Sequence, residues 1–268
     1  MAKLTDQKDP VSVLYYGDSG TGKTTAAAHM ADLGPVVVVN SEAGLKAKPL
    51  RDHGVNVENI EIWPLRGSRV TVAGLEELHL QLLDRLHSDP DSLAGVVWDS
   101  ITDIYQVVLE DVVAAAVERQ TAAGKDRDPD LIDIKDYGVM TEQVKRLLRR
   151  YRDLPCHFAV TALSRREQDD DGAVTYQPAA TPALQNSLVG WVDVVAHTSV
   201  GLRPDGEEEY MGLFRAQGKY RGKDRFNALP KRLVDPGFHR LVAYVEGELD
   251  VDSDPIMKAA KAARAKEA

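Results

Sequence analysis

The run Gly17-Asp18-Ser19-Gly20-Thr21-Gly22-Lys23-Thr24 carries the spacing G-x-x-x-x-G-K-T. Glycines placed in this way let the backbone wrap so that successive N–H groups face inward, toward an anion. The lysine reaches the terminal phosphates of a nucleoside triphosphate, and the adjacent threonine hydroxyl ligates Mg2+. An apolar run, Val11 to Tyr16, precedes the motif, and helix-forming Thr25-Ala26-Ala27-Ala28 follows it. This is the strand, loop and helix context the chemistry requires, and the helix adds the positive end of its dipole. Gly17 through Thr25 are therefore read as the phosphate-binding segment of a nucleoside-triphosphate site, with Thr24 as a metal ligand.

Two carboxylates extend the reading. Asp99 closes the short apolar stretch Gly95-Val96-Val97-Trp98, where a strand would end, and is placed to hold Mg2+ against Thr24. Ser100 follows it, so there is no adjacent acid pair at this point. Glu42 lies just past the valine run Val36 to Val39, on the edge where that strand would neighbour the phosphate loop. It can orient an attacking water there. The competing reading makes it a helix N-terminal acid favoured by the dipole.

Strand and helix signals alternate through the first two thirds of the chain, which predicts a parallel sheet with crossover helices. Val36–Val39, Ile60–Trp63, Ala94–Trp98 and His157–Thr161 read as strands, and Glu42–Asp52, Ile101–Gln120 and Tyr137–Asp153 as helices. Val72, Leu75, Leu78, Leu82, Leu83 and Leu86 also have helical spacing. Thr121 to Asp136 reads as a long loop, and Ser164 to Pro182 as a hairpin or mobile loop. Strands over Val192–Val200, Glu209–Phe214 and Arg240–Val245 are expected to complete the sheet in antiparallel fashion, before a helical tail from about Pro255.

With 268 residues, 43% of them hydrophobic, the chain can bury a sizeable core in one large α/β domain. No apolar run is long enough to span a bilayer, the first residues lack a signal core, and the single Cys156 fits a reducing cytosol. The expectation is a cytoplasmic protein with no membrane partner. A net charge of −9 argues against a basic coat for duplex DNA but leaves room for a local basic groove. Arg215, Lys219, Arg221, Lys223 and Arg225 crowd one segment, Lys258, Lys261, Arg264 and Lys266 another, while Asp169-Asp170-Asp171 and Glu207-Glu208-Glu209 are acidic. A solvated face or turn is the bland reading of each.

The stretch Val36 to Leu45, with Leu50 to Ile60 after it, resembles the equivalent part of RecA recombinases, where an acid following the strand is catalytic; the resemblance implies that role for Glu42. Val96-Val97-Trp98-Asp99-Ser100 resembles their Walker B segment, and the likeness follows element order from about Val11 to Val200. Within that superfamily the chain most resembles the short phage RecA-like ATPases of Sak type, associated with single-strand annealing. Phe158 to Ala162 resembles the strand ending in a phosphate-sensing polar residue, with Thr161 where RecA has amides. Lys223-Asp224-Arg225-Phe226 resembles the Lys-x-Lys pair of RecA and the Lys-Asn-Arg-Phe motif of RadA, whose cations reach a neighbouring subunit's γ-phosphate. An exposed basic turn is the alternative there.

In RecA relatives two mobile loops line the DNA axis, and the matching segments here offer Lys125, Arg127, Lys135, Arg165, Arg166 and Tyr176. Cations with an aromatic suit single-strand binding, although Asp126, Asp128, Asp130 and the Asp169–Asp171 run oppose it. The resemblance thus implies a RecA-like P-loop core over residues 1–250, a mostly parallel twisted sheet flanked by helices with antiparallel C-terminal strands, and a helical tail over 251–268. It implies ATP and Mg2+ as ligands, a head-to-tail homo-oligomer in a ring or filament, and single-stranded DNA as partner, with a single-strand binding protein as a further one. The function implied is ATP-dependent annealing or pairing of single strands in recombination. A RadA- or helicase-like motor, and an ATP-switched scaffold for a replication protein, are the alternatives.

Overall fold

The computed structural model describes residues 9–65, 68–168, 171–203 and 206–265. Asp169, Asp170 and Lys266, and the first residues where a signal core was sought, lie outside the described residues. Among the described residues no helix is long and apolar enough to cross a membrane.

The centre of the molecule is a twisted sheet in which β1 (Ser12–Gly17) lies between β5 (His157–Gln168) and β7 (Val194–Leu202), both parallel to it. Outward from β5 follow β4 (Gly95–Asp99), β2 (Val36–Asn40) and β3 (Ile60–Trp63), all parallel. Beyond β7 come β8 (Glu208–Leu213) and β10 (Arg232–Val234), both pairing antiparallel. The parallel strands are buried on both faces, so they read as unbroken apolar runs such as Val36 to Val39.

Helices cover both faces. One layer, built from α3 (Val72–Ser88), α4 (Ile101–Ala122), α5 (Ile134–Arg152) and α6 (Pro182–Trp191), buries Leu75, Ile104, Val144 and Leu188 with Trp98, Tyr151 and Phe158. The other holds α1 (Lys23–Ala28), α2 (Ala47–Asp52) and α7 (Phe238–Val245), burying Ala27, Leu50, Phe238 and Leu241 against the opposite side chains of the same strands. A helix α8 (Pro255–Ala265) ends the described chain, and Asp254 just before it is fully buried, hydrogen-bonded by Arg240 and Tyr244.

The sheet corrects several sequence expectations. The strand at Val192–Val200 is β7, which is parallel to β1 and only then antiparallel to β8. Arg240–Val245 is not a strand but most of α7, because Phe238, Leu241, Val242 and Val245 at helical spacing all pack on the α1 side of the sheet. The helix expected from Glu42 begins only at Ala47, after a turn in which Ala43 adopts φ 51°. β5 continues past Thr161 to Gln168 and folds back on β6 (Val174–Pro178) as an antiparallel ribbon, the hairpin alternative for that segment. Of the expected loop Thr121–Asp136, both ends are helical, and α5 starts at Ile134 rather than Tyr137.

Candidate functional site

Parallel pairing brings the C-terminal ends of four strands to one edge. Gly17 is in register with Leu163, Tyr15 with Thr161, Trp98 with Val160 and Asn40 with Asp99. Ligands of open α/β sheets bind at such an edge. A cavity opens there, lined by the phosphate loop from Ser19 to Thr25 and by Glu42, Asp99, Ser100, Thr161 and Leu163.

Two glycines are fixed by what surrounds them. A Cβ on Gly17 would fall 2.4 Å from the Thr198 hydroxyl and 2.5 Å from its carbonyl, so the loop leaves β1 pressed against β7. Gly22 has φ 78°, and a Cβ on it would meet the Tyr210 ring at 2.8 Å. The Lys23 ammonium donates to the carbonyls of Gly17 (3.0 Å) and Asp18 (2.7 Å), curling back over its own loop. Burial lowers its pKa, against the pull of the Asp99, Glu42 and Asp18 charges.

Thr24 donates its hydroxyl to Asp99, 3.1 and 3.0 Å from the two carboxylate oxygens. Asp99 is 5% exposed, and burial raises its pKa, with hydrogen bonds from Thr161 and Thr24 opposing and the Glu42 charge adding to the rise. A carboxylate this poorly solvated, beside a hydroxyl, is the all-oxygen donor set that a hard divalent cation takes. The half-buried ammonium of Lys23, held on the loop by the Gly17 and Asp18 carbonyls, is a cation of the kind that pairs with a polyphosphate. The residues present fit a nucleotide with Mg2+.

Thr161 departs from its expected role. Its hydroxyl donates to Asp99 Oδ1 at 2.6 Å and its side chain is fully buried, so it positions the carboxylate instead of offering a free polar group to a γ-phosphate. Glu42 is exposed, sits in the turn after β2 and accepts a short hydrogen bond from the Ser100 hydroxyl. Ser41 locks that turn to the end of β4: its hydroxyl donates to the carbonyl of Asp99 (3.0 Å) and accepts from the Ser100 N–H (3.0 Å). Because α2 starts four positions beyond Ala43, Glu42 is no helix cap. The turn after the neighbouring strand thus places a carboxylate beside Ser100.

Sequence reasoning missed the other end of the cavity, where His53, Tyr210, Asp235 and Pro236 line the wall. His53 and Tyr210 meet edge to face, with ring centroids 5.8 Å apart. They arrive from α2 and β8 on either side of β1, so only the sheet order makes them neighbours.

Lys223 and Arg225 lie at the opposite edge of the sheet from the phosphate loop. Lys223 is on β9 (Lys223–Asp224), in register with Val195, and Arg225 pairs with Asp193 near the start of β1. The Lys223 ammonium donates to the carbonyls of Val189, Gly190 and Val192 at 2.7–2.9 Å, capping the end of α6. With its three donors so engaged, it does not project toward a neighbour as the sequence suggested. Arg225 binds Asp193 Oδ1 at 2.6 Å yet keeps half of its side chain exposed.

The six nucleic-acid candidates separate. Arg127, 8% exposed along its side chain, is committed to Asp136 and Asp133, where it ties the α4–α5 connection to the start of α5; it is a structural cation. Lys125 and Lys135 are exposed on and after that connection. Arg165, Arg166 and Tyr176 fall together on the β5–β6 ribbon, with Arg166 directly opposite Tyr176 and Arg165 3.8 Å from Glu167.

A family model described as AAA domain matches residues 9–226, a span that holds the phosphate loop, Glu42, Asp99, Thr161 and the β5–β6 ribbon. No curated protein matches the chain. Since the match covers most of the 268 residues and the cradle, the buried aspartate and the sheet order agree with it, the chain belongs to the AAA-domain family of P-loop ATPases.

Proposed function

We propose that this chain is a Mg2+-dependent ATPase that binds single-stranded DNA and promotes strand annealing or pairing in recombination, as the Sak-type phage RecA-like ATPases do. In this reading Gly17 to Thr25 wrap the phosphates and Lys23 leaves its two loop carbonyls to neutralise the terminal ones. Thr24 and Asp99 would hold Mg2+, which neutralises charge on the phosphate oxygens. Glu42, aimed by the Ser100 hydroxyl, orients and deprotonates the attacking water, giving ADP and phosphate. His53, Tyr210 and Pro236 supply the wall for the base.

The observation that carries the DNA assignment is the ribbon face. The Tyr176 ring packs on Tyr220 with centroids 5.2 Å apart, and the Lys219 ammonium sits 4.9 Å from one ring and 5.4 Å from the other. Arg166 is cross-strand from Tyr176, so the two share a face. Aromatic rings among cations are what a single strand needs for stacking and phosphate contact. The same β5 strand carries Leu163 in the wall of the nucleotide cavity, giving ATP a direct path to the ribbon. Measured by anisotropy with a labelled single strand and a non-hydrolysable ATP analogue, Tyr176→Ala is expected to weaken binding by roughly 1–3 kcal/mol. Arg166→Ala is expected to reduce the slope of log affinity against log salt by about 0.7. Unchanged affinity and slope in both variants would remove the ribbon as the interface.

Head-to-tail assembly belongs to the same reading, because Arg225 lies at the sheet edge remote from its own phosphate loop and retains exposed surface. A cation supplied in trans stabilises phosphoryl-transfer charge by about 10³-fold or more. Arg225→Ala is expected to bind ATP normally yet lose turnover on that scale. Mixed with Lys23→Ala protein it is expected to recover part of the activity, since some junctions then join an intact loop to an intact arginine. No recovery in demonstrably mixed assemblies would exclude shared sites.

A further inference from the structure

Outside the nucleotide cavity, three side chains that could ligate a metal converge where the phosphate-loop helix ends. A 3-10 turn, His29–Asp32, continues directly from α1, and α7 packs across it. His29 Nδ1 lies 2.6 Å from Asp32 Oδ2, and His239 Nδ1, from the first turn of α7, lies 3.3 Å from the same oxygen. The three candidate ligand atoms are all within 4.8 Å of one another, with the two imidazole rings 4.8 Å apart between centroids.

We propose that His29, Asp32 and His239 form a binding site for a divalent transition-metal ion of the zinc class. Three observations carry this. Asp32 divides its carboxylate: Oδ1 accepts the Asn56 N–H at 2.9 Å, which fixes the side chain and leaves Oδ2 facing the imidazoles. An outer hydrogen bond of this kind is how ligating carboxylates are oriented. His239 Nδ1 is buried and, despite its 3.3 Å approach to Asp32, makes no hydrogen bond of acceptable geometry among the described residues. A buried ring nitrogen in that condition needs an explanation, and an ion between the three groups provides one. His29 is itself buried, so its nitrogen faces Asp32 and His239 rather than water.

The donor set decides the class of ion. Two neutral imidazoles and one carboxylate suit zinc, cobalt, nickel or copper, whereas Mg2+ and Ca2+ prefer all-oxygen sites such as Thr24 with Asp99. Ligands at about 2.0–2.2 Å from one tetrahedral ion lie about 3.4 Å from each other, so the 2.6 Å contact has to open on binding, by rotation of the Asp32 carboxylate, whose side chain is 23% exposed. Three protein ligands leave a position for water. The ion would join α7 to the phosphate-loop helix, and Asp235 and Pro236, just ahead of α7, line the nucleotide cavity. Occupancy should therefore be visible as stability of the whole domain.

The test uses the full chain, stripped with chelator and then kept in millimolar Mg2+ so that the nucleotide site holds its own cation. Titration with ZnCl2 is expected to show saturable binding of one ion per chain and, at about 100-fold excess over the dissociation constant, a rise in melting temperature of about 5 °C or more. CoCl2 in place of zinc is expected to give the visible absorption of a low-coordinate nitrogen and oxygen site. Both signals should vanish in Asp32→Asn and in His239→Gln, which keep side-chain size, and persist in His79→Gln on the other face of the sheet. ATP affinity shows that each variant is folded. Absence of one-to-one binding, or binding that survives both substitutions, would overturn the site and leave a His29–Asp32 hydrogen bond with His239 packed beside it.

Discussion

Replacing Lys23 with alanine is expected to abolish productive ATP binding while leaving the fold intact. The ammonium is the one cation inside the loop, and burial already lowers its pKa, so its charge is poorly compensated until phosphate arrives. Truncating one partner of such a desolvated pair costs roughly 2–5 kcal/mol, which is a loss of about 30-fold to a few thousand-fold in affinity. Among the described residues its ammonium makes two hydrogen bonds, a part-buried one to the Gly17 carbonyl and an exposed one to the Asp18 carbonyl, both within its own loop. Stability in denaturant should accordingly change by no more than about 1 kcal/mol. Calorimetric titration with ATP and Mg2+, alongside a melting curve, separates the two effects. Normal affinity in this variant would overturn the assignment of the site.

The phosphate loop could be read from the chain because its chemistry is local: the glycines, lysine and threonine act through backbone that is contiguous in sequence. The parallel strands were legible for a related reason. A strand buried on both faces must be apolar throughout, and Val36–Val39 and Gly95–Trp98 carry no helical period to confuse the reading. Leu241-Val242-Ala243-Tyr244-Val245 shows where that logic fails. As a short apolar run it fits a strand, but Arg240 is drawn inward by Asp254 and the sheet side offers room for a helical face, so tertiary packing decides. The β5–β6 ribbon stayed between hairpin and loop in the sequence because, beyond the buried part of β5, it shows no apolar alternation, and the pairing of Ser164–Gln168 with Val174–Pro178 settles it as the hairpin.

The rest of the site depends on elements meeting across the sheet. Asp99 was visible as the end of a strand, but the hydroxyl of Thr161 that holds it comes from the next strand in space, 62 residues on. Tyr210 and His53 carry no motif, and nothing in their flanks marks them until β8 and α2 are placed on either side of the loop. Lys223 misled because a basic turn and a helix cap look alike in sequence. The carbonyls it binds belong to α6, whose end is specified more than 30 residues earlier.

Glu42→Gln is expected to keep ATP bound and slow its hydrolysis by about 10² to 10⁴-fold, the range that a positioned general base contributes. The substitution keeps the side chain's size and an oxygen for the Ser100 hydroxyl, so the turn held by Ser41 should not move. It also removes a negative charge that raises the pKa of Asp99, and the pair Thr24 and Asp99 would then hold a cation no worse than before. Turnover and affinity are therefore expected to part: kcat falls, while the dissociation constant for ATP stays level or tightens because a charge repelling the phosphates is gone. A double substitution sharpens the reading. If Ser100 acts by aiming Glu42, Ser100→Ala should lower kcat less than Glu42→Gln does, and adding it to Glu42→Gln should cost little more, since the group it positions is already disabled. Single-turnover hydrolysis and equilibrium binding measured on the same protein decide the matter, and a normal rate in Glu42→Gln would reduce Glu42 to a turn residue hydrogen-bonded to Ser100.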